Sequence, residues 1–178
     1  MKPILLLYLI TILCMSCSTK NDFENTNLYF EFDKETYLAN DKFELTIKIV
    51  PIEAEQTIRL YKDLRNIEIS FVSEAQQLGF NQKLTKRFIQ GVPPQDQSEY
   101  IDEFTISKKK PFKRKFYGTI SEYEESIVIS IAALTKKFKI NKSSLIKNPN
   151  ILVKGNCRGI LAMDGTPFEP NNIKIMVP

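Results

Sequence analysis

Apolar and polar residues alternate along most of the chain, which is the pattern of β-strands that bury one face. In Phe43–Val50, FELTIKIV, the residues Phe, Leu and Ile alternate with Glu, Thr and Lys, and Asn27–Phe32 has the same period. Turn-forming residues separate such segments. Further strands are predicted at residues 57–61, 66–72, 100–107, 112–120, 126–134, 137–141, 151–154, 158–162 and 172–177.

No long segment has the 3.6-residue period of a helix, so the pattern predicts an all-β, antiparallel sandwich rather than an α/β fold. Residues 126–134, SIVISIAAL, are apolar on both alternations, which predicts a central strand covered on both faces. Residues 74–98 break the alternation and predict a loop insertion or short hairpin, while short helical turns are predicted at 73–78 and 143–147. We expect residues 28–178 to form one β-sandwich domain.

The first residues have the features of an export signal. Lys2 precedes the uncharged apolar run Ile4–Leu13, which is too short to span a bilayer because that needs about 20 apolar residues. We therefore assign residues 1–16 to a signal peptide. Residues 17–27 are mostly polar and show no strand or helix period, so they are predicted to form a flexible tether.

The end of this signal, Cys14-Met15-Ser16-Cys17, resembles the lipobox of bacterial lipoproteins. In that family a small residue precedes a cysteine that is acylated and becomes the first residue of the mature protein. Ser16 fits the small position, whereas Cys14 stands where the family prefers leucine. The resemblance implies lipidation of Cys17 and attachment to the bacterial cell envelope, at the outer membrane rather than the inner one. Secretion without a lipid is the alternative.

A second resemblance concerns the fold. Residues 37–50, YLANDKFELTIKIV, are similar to the opening of bacterial immunoglobulin-like domains, in which a tyrosine and a glycine-acid turn precede an alternating strand. Here Asn40 and Asp41 occupy the turn, and asparagine accepts a left-handed backbone nearly as glycine does. Residues 162–177 are similar to the last turn and strand of such modules. The resemblance implies an immunoglobulin-like β-sandwich.

Composition excludes several classes of chemistry. The chain contains no histidine, so Ser-His-Asp and Cys-His catalysis and His-ligated zinc are excluded. If Cys14 is removed and Cys17 is acylated, Cys157 has no partner within the chain. We interpret Cys157 as a small residue in or beside a strand, with a reactive thiol or an intermolecular disulfide as alternatives. No metal or other cofactor is predicted.

One local feature is a candidate binding site. The segment 108–115, KKKPFKRK, has six basic residues out of eight, and its candidate ligand-binding residues are Lys108, Lys109, Lys110, Lys113, Arg114 and Lys115. Such a patch suits phosphates of lipopolysaccharide, acidic glycans or membrane headgroups. Nucleic acid is not an expected partner outside the cytoplasm.

The alternative interpretation is that these lysines protect an exposed strand edge from pairing with other chains. A hairpin that pairs Ile106 with Phe112 would also place Glu103 opposite Lys115, which would neutralise part of the charge.

The function expected from these observations is that of a non-catalytic envelope lipoprotein, which acts as a binding or scaffold module. Its expected partners are the membrane, through the N-terminal lipid, and an envelope protein or glycan. One alternative is a binder of an anionic envelope ligand through residues 108–115. The other is a glycan hydrolase that uses two carboxylates, which would need two acids at a defined separation in a cleft.

Overall fold

A computed structural model describes residues 21–73, 80–83, 98–132, 134, 137–160 and 164–178, with residues 80–83 and 98 described by their main chain alone. The predicted signal peptide, Cys17 and most of the 74–98 stretch lie outside these ranges. The described part contains the helix α1, Lys142–Lys147, and a single 3-10 turn, Ser98–Tyr100. Its strands are β1 Thr26–Phe32, β2 Thr36–Leu38, β3 Lys42–Pro51, β4 Gln56–Tyr61, β5 Ile67–Ser73, β6 Phe80–Lys83, β7 Ile101–Ile106, β8 Phe112–Glu122, β9 Ser126–Ile131, β10 Phe138–Asn141, β11 Asn150–Arg158, β12 Gly165–Pro167 and β13 Asn171–Met176.

The strands form two large sheets and one small sheet. The first sheet has the order β1-β3-β8-β9-β10, and the second has the order β2-β13-β11-β5-β6 with β12 beside β11. Strands β4 and β7 form the small sheet. All pairs are antiparallel except β2 with β13, so the prediction of an all-β, antiparallel protein is confirmed. No helix in the described part of the chain is long and apolar enough to cross a membrane.

The two large sheets contribute to one hydrophobic core. Phe71 of β5 lies against Phe138 of β10 with 4.7 Å between ring centroids, and Phe32 of β1 contacts the same Phe71 ring. Phe30 of β1 stacks on Phe168 at 3.9 Å. Because rings from both sheets meet in one cluster, the sheets bury their apolar faces against each other.

Two predicted elements agree closely with the structure. Strand β9 lies between β8 and β10, and five of its six residues are buried, as expected for the run that is apolar on both alternations. Helix α1 covers the helical turn predicted at 143–147. The predicted turn at 73–78 lies outside the described residues except for Ser73, which ends β5.

The prediction of two strands at 151–154 and 158–162 is wrong, because β11 runs without a break from Asn150 to Arg158. Gly155 and Asn156 separate the two predicted strands and are residue types common in turns, yet Gly155 lies within β11, opposite Ile69. A β-carbon at Gly155 would overlap the carbonyl oxygen of Glu68 and the ring of Phe30. The glycine therefore permits a close approach of neighbouring groups and does not reverse the chain.

The hairpin that would pair Ile106 with Phe112 does not form. Strand β7 pairs with β4, so Glu103 lies opposite Arg59, while β8 pairs with β3 in the first sheet. The main chains of Ser107 and Lys110 do exchange hydrogen bonds of 3.0 Å. The turn therefore forms, but the strands on its two sides join different sheets.

The folded body begins before residue 28, and this corrects the predicted extent of the tether. Phe23 is completely buried, and β1 already begins at Thr26. Residues 21–27 therefore belong to the body. Phe23 is the apolar side chain among polar neighbours that is packed into the core.

The turn between β2 and β3 has the geometry that its sequence suggests. Asn40 adopts a left-handed backbone with φ of 74°, as expected for the asparagine that stands in the glycine position. Tyr37 is buried, and its hydroxyl donates a 2.8 Å hydrogen bond to the Asp33 carboxylate. The Glu44 amide donates a second, of 2.7 Å, to the same carboxylate oxygen.

These contacts affect the ionisation of both side chains. Desolvation acts to raise the pKa of Asp33, but the hydrogen bonds from the Glu44 amide and the Tyr37 hydroxyl outweigh it and lower that pKa below its ordinary value. Burial and the hydrogen bond to Asp33 raise the pKa of Tyr37.

We predict that Tyr37→Phe lowers the free energy of unfolding at neutral pH by about 1 kcal/mol, the usual net contribution of a hydrogen bond. Part of this loss comes from the lowered pKa of Asp33. That part is present above the unfolded-state pKa of aspartate and disappears as the pH falls through the lower folded-state value. Urea titrations at several pH values measure it. In an Asp33→Asn background the effect of Tyr37→Phe should not vary with pH, and an unchanged pH dependence there would contradict the assignment.

Candidate functional site

The first described residues are fixed to the body by hydrogen bonds and burial. The Asp22 carboxylate accepts hydrogen bonds from Arg59 Nε at 3.0 Å and Nη2 at 3.2 Å, and Gln56 Nε2 donates to the Asp22 carbonyl oxygen at 2.6 Å. Asn21 Nδ2 donates to Thr166 Oγ1 at 3.2 Å. The chain therefore enters the body at a defined place, between β4 and β12.

The Asp22–Arg59 pair differs from an ordinary surface ion pair in its burial and geometry. The Asp22 side chain is only 15% exposed, and both carboxylate oxygens face the guanidinium, a geometry that favours charge-assisted bonding. The hydrogen bond with Asp22 raises the pKa of Arg59. We call the end of the body where Asn21 lies the N-terminal end.

Some side chains of the basic segment form ion pairs or hydrogen bonds with the body, and others do not. Lys115 pairs with Glu44 of β3 at 2.7 Å, so its charge is neutralised by a residue other than the predicted Glu103. Arg114 Nη1 donates to the Lys62 carbonyl oxygen at 2.9 Å.

The other four residues of the candidate patch are exposed. These residues are Lys108, Lys109, Lys110 and Lys113. None of them forms an ion pair with another residue that the structure describes. Their positive charges are therefore available to a ligand.

The lysine turn, residues 107–110, lies at the N-terminal end. Gln56, which bonds to Asp22, is opposite Ile106 in the small sheet, and Ile106 immediately precedes the turn. The first sheet also places the starts of β1 and β8 at this end. Thr26 at the start of β1 is opposite Pro51, and Phe112 at the start of β8 is opposite Ile49, and both partners lie at the last residues of β3. Neighbouring strands are about 4.8 Å apart, so the lysine turn and the entry point of the chain are close neighbours.

Half of β8 is a sheet edge in the described structure, as the alternative interpretation of the basic segment requires. Strand β9 pairs with β8 only from Gly118 onward, so Phe112–Phe116 pair with β3 alone among the described residues. A cleft of about 440 Å³ lies beside this edge. Its floor includes the rings of Phe104 and Phe112, whose centroids are 4.9 Å apart, and its rim carries Lys110, Lys113 and Glu103.

A second cavity, of about 270 Å³, lies at the entry point itself and is lined by Asp22, Glu53 and Glu55. Both oxygens of Asp22 accept hydrogen bonds from Arg59, while Glu53 and Glu55 are exposed on the loop between β3 and β4. In the described ranges no three acidic or cysteine side chains gather closely enough to hold a metal ion.

The sequence did not indicate a third groove, of about 630 Å³, which has a mostly apolar lining. It lies between β3, β8 and β9 and includes Tyr117, which is 66% exposed, and Ile131. Gly118 also lines the groove, and the ring of Phe43 occupies the space that a β-carbon at this position would need. The pairing of β8 with β9 brings Tyr117 to Ile131, whereas Phe43 comes from β3, which is distant in the sequence.

Cys157 lies in β11 and is completely buried, which confirms its interpretation as a small strand residue. Asn66 Nδ2 lies 3.8 Å from its sulfur. Burial, with a smaller contribution from the negative charge of Asp22, raises the pKa of the Cys157 thiol. The reactive thiolate form is therefore disfavoured.

We predict that the Cys157 thiol does not react with iodoacetamide in the native protein at neutral pH and reacts completely after unfolding in guanidinium. Mass spectrometry of the peptide that contains Cys157 measures the modification, and a Cys157→Ala variant provides the blank. Rapid modification of the native protein would show that the thiol is accessible.

Comparison with known proteins assigns no family to this chain. No protein-family model matches it, and no curated protein matches it. Among solved structures it is similar to Spo0M, a sporulation control protein from Bacillus subtilis, with a TM-score of 0.38 and 10% sequence identity over 85% of this chain. This chain spans 49% of the Spo0M chain. A similarity this distant identifies neither a family nor a function.

Proposed function

We propose that the chain is a lipoprotein of the bacterial cell envelope whose body is a non-catalytic binding or scaffold module. The observation that carries this proposal is the position of Cys17, which ends a lipobox-like segment after an apolar run and lies just before the folded body. The body includes Asn21, whose side chain is hydrogen-bonded to Thr166. A lipid on Cys17 would thus be joined to the body by a short connection.

We propose that the body is an immunoglobulin-like sandwich. In support, the second sheet has an order that fits strands A′, G, F, C and C′ of such domains, with β2 parallel to β13. Pairing of β1 with β3 fits strands A and B. The first sheet then departs from the family, because β8, β9 and β10 follow one another in chain order, whereas the family has E beside B and then D.

A non-catalytic role is supported by the state of the side chains that could do chemistry. The chain has no histidine, Cys157 is buried, and Asp22 is engaged by Arg59. Sandwiches present loops and faces for binding, and their function is carried by such sites and not by the fold itself.

Binding of an anionic ligand is the second candidate function. It is favoured by Lys108–Lys110 and Lys113, whose exposed charges pair with no described residue. Arg114 and Lys115 are less suited to this role because the body already engages them.

The test of the proposed function compares the wild-type protein with Cys17→Ser and Cys14→Ser variants by intact mass and membrane fractionation after expression in a bacterial host. We expect the wild type and Cys14→Ser to lose residues 1–16, carry a diacylglyceryl mass and sediment with membranes. Cys17→Ser should lack that mass, because the acceptor thiol is gone. A wild-type protein without lipid would contradict the proposal.

A further inference from the structure

We infer that the N-terminal end of the body lies against the membrane that holds the lipid, with Lys108–Lys110 in contact with the phosphates of anionic phospholipids. This inference rests on the proposed lipidation of Cys17. It adds an orientation and a binding partner, both of which follow from the hydrogen bonds that hold Asn21 and Asp22 on the body and from the residues around them.

The first step is the length of the connection. Three residues separate Cys17 from Asn21, so even a fully extended chain spans at most about 14 Å between their α-carbons. Asn21 and Asp22 are hydrogen-bonded to the body, and Phe23 is buried. The connection cannot lengthen unless these contacts break, so the N-terminal end stays close to the headgroups.

The second step is the surface at that end. The lysine turn follows Ile106, which lies opposite Gln56, and Gln56 holds the main chain of Asp22. Ile52 is 45% exposed on the same end, and its amide donates to the Asn25 carbonyl oxygen. Exposed lysines beside an apolar side chain suit the boundary between headgroups and acyl chains.

The third step concerns the acids nearby. Glu24, Glu53 and Glu55 are exposed on the adjoining segments, so the charges of the three turn lysines are largely offset at this end. A strong field is not required, because the anchor makes contact with the membrane intramolecular and the effective concentration of headgroups is already high. A modest attraction of the lysine turn is then enough to select one orientation.

The experiment uses the full mature protein, purified with its lipid and reconstituted into phosphatidylethanolamine vesicles with or without phosphatidylglycerol. Lysines of protein on the outside of the vesicles are acetylated with an N-hydroxysuccinimide ester. The extent of acetylation of each lysine is measured by mass spectrometry, with protein in detergent as the reference. Lys147 and Lys174 are exposed residues away from the N-terminal end and serve as internal controls. Lys108–Lys110→Glu is the test variant, and reversal of Lys139, Lys147 and Lys174 is the matched control.

We expect acetylation of Lys108–Lys110 to fall severalfold on vesicles with phosphatidylglycerol, while Lys147 and Lys174 react as in detergent. The fall should be smaller on vesicles without phosphatidylglycerol. The control reversal should preserve the protection, whereas the test variant should show increased exposure of Ile52 to the solvent, measured as faster hydrogen exchange of its peptide.

Two results would overturn the inference, and they have different meanings. A lipidated protein whose Lys108–Lys110 react as readily as Lys147, or are protected equally by both kinds of vesicle, refutes the contact with anionic lipid and leaves the lipoprotein proposal intact. A protein that carries no lipid mass refutes both, because the short connection then has no anchor.

Discussion

The salt bridge between Asp22 and Arg59, with the burial of Phe23 beside it, holds the first described residues on the folded body. It fixes the chain against β4, and β4 with β7 forms the small sheet that carries the lysine turn. The same segment leads directly into β1, the edge of the first sheet. These contacts therefore fix the position of residues 21–23 relative to the small sheet and the lysine turn.

Most of the strands could be predicted because they bury one face and so alternate locally, and β9 could be predicted because it is apolar on both alternations. The exceptions have non-local causes. Glycine is common in turns, but Gly155 lies within a strand, where Phe30 and the Glu68 carbonyl occupy the space that a side chain would need. Phe23 lies in a polar stretch, and only the assembled core shows that it is buried. Strand β2 is three residues long, which is too short for a period to be recognised.

The candidate site was predicted in part. The sequence indicates a cluster of positive charge, but the partners of that charge depend on which strands are neighbours. A local hairpin would join β7 to β8, whereas β8 pairs with β3 and thereby brings Glu44 to Lys115. The three lysines of the turn itself remain without ion pairs in the described structure because they lie beyond the ends of both strands. Their location beside the chain's entry point follows only from the pairing of β4 with β7.

The proposed orientation depends on residues 21–27 being part of the folded body and not of a flexible tether. Hydrogen exchange of the mature protein tests it most directly, through the peptide that covers residues 21–27. The Thr26 amide donates to the Phe23 carbonyl oxygen at 3.1 Å, and the Glu24 amide donates to that of Asn21 at 3.2 Å. The account predicts that this peptide exchanges slowly, in step with β1. Complete exchange at the earliest time point, while β1 remains protected, would contradict it.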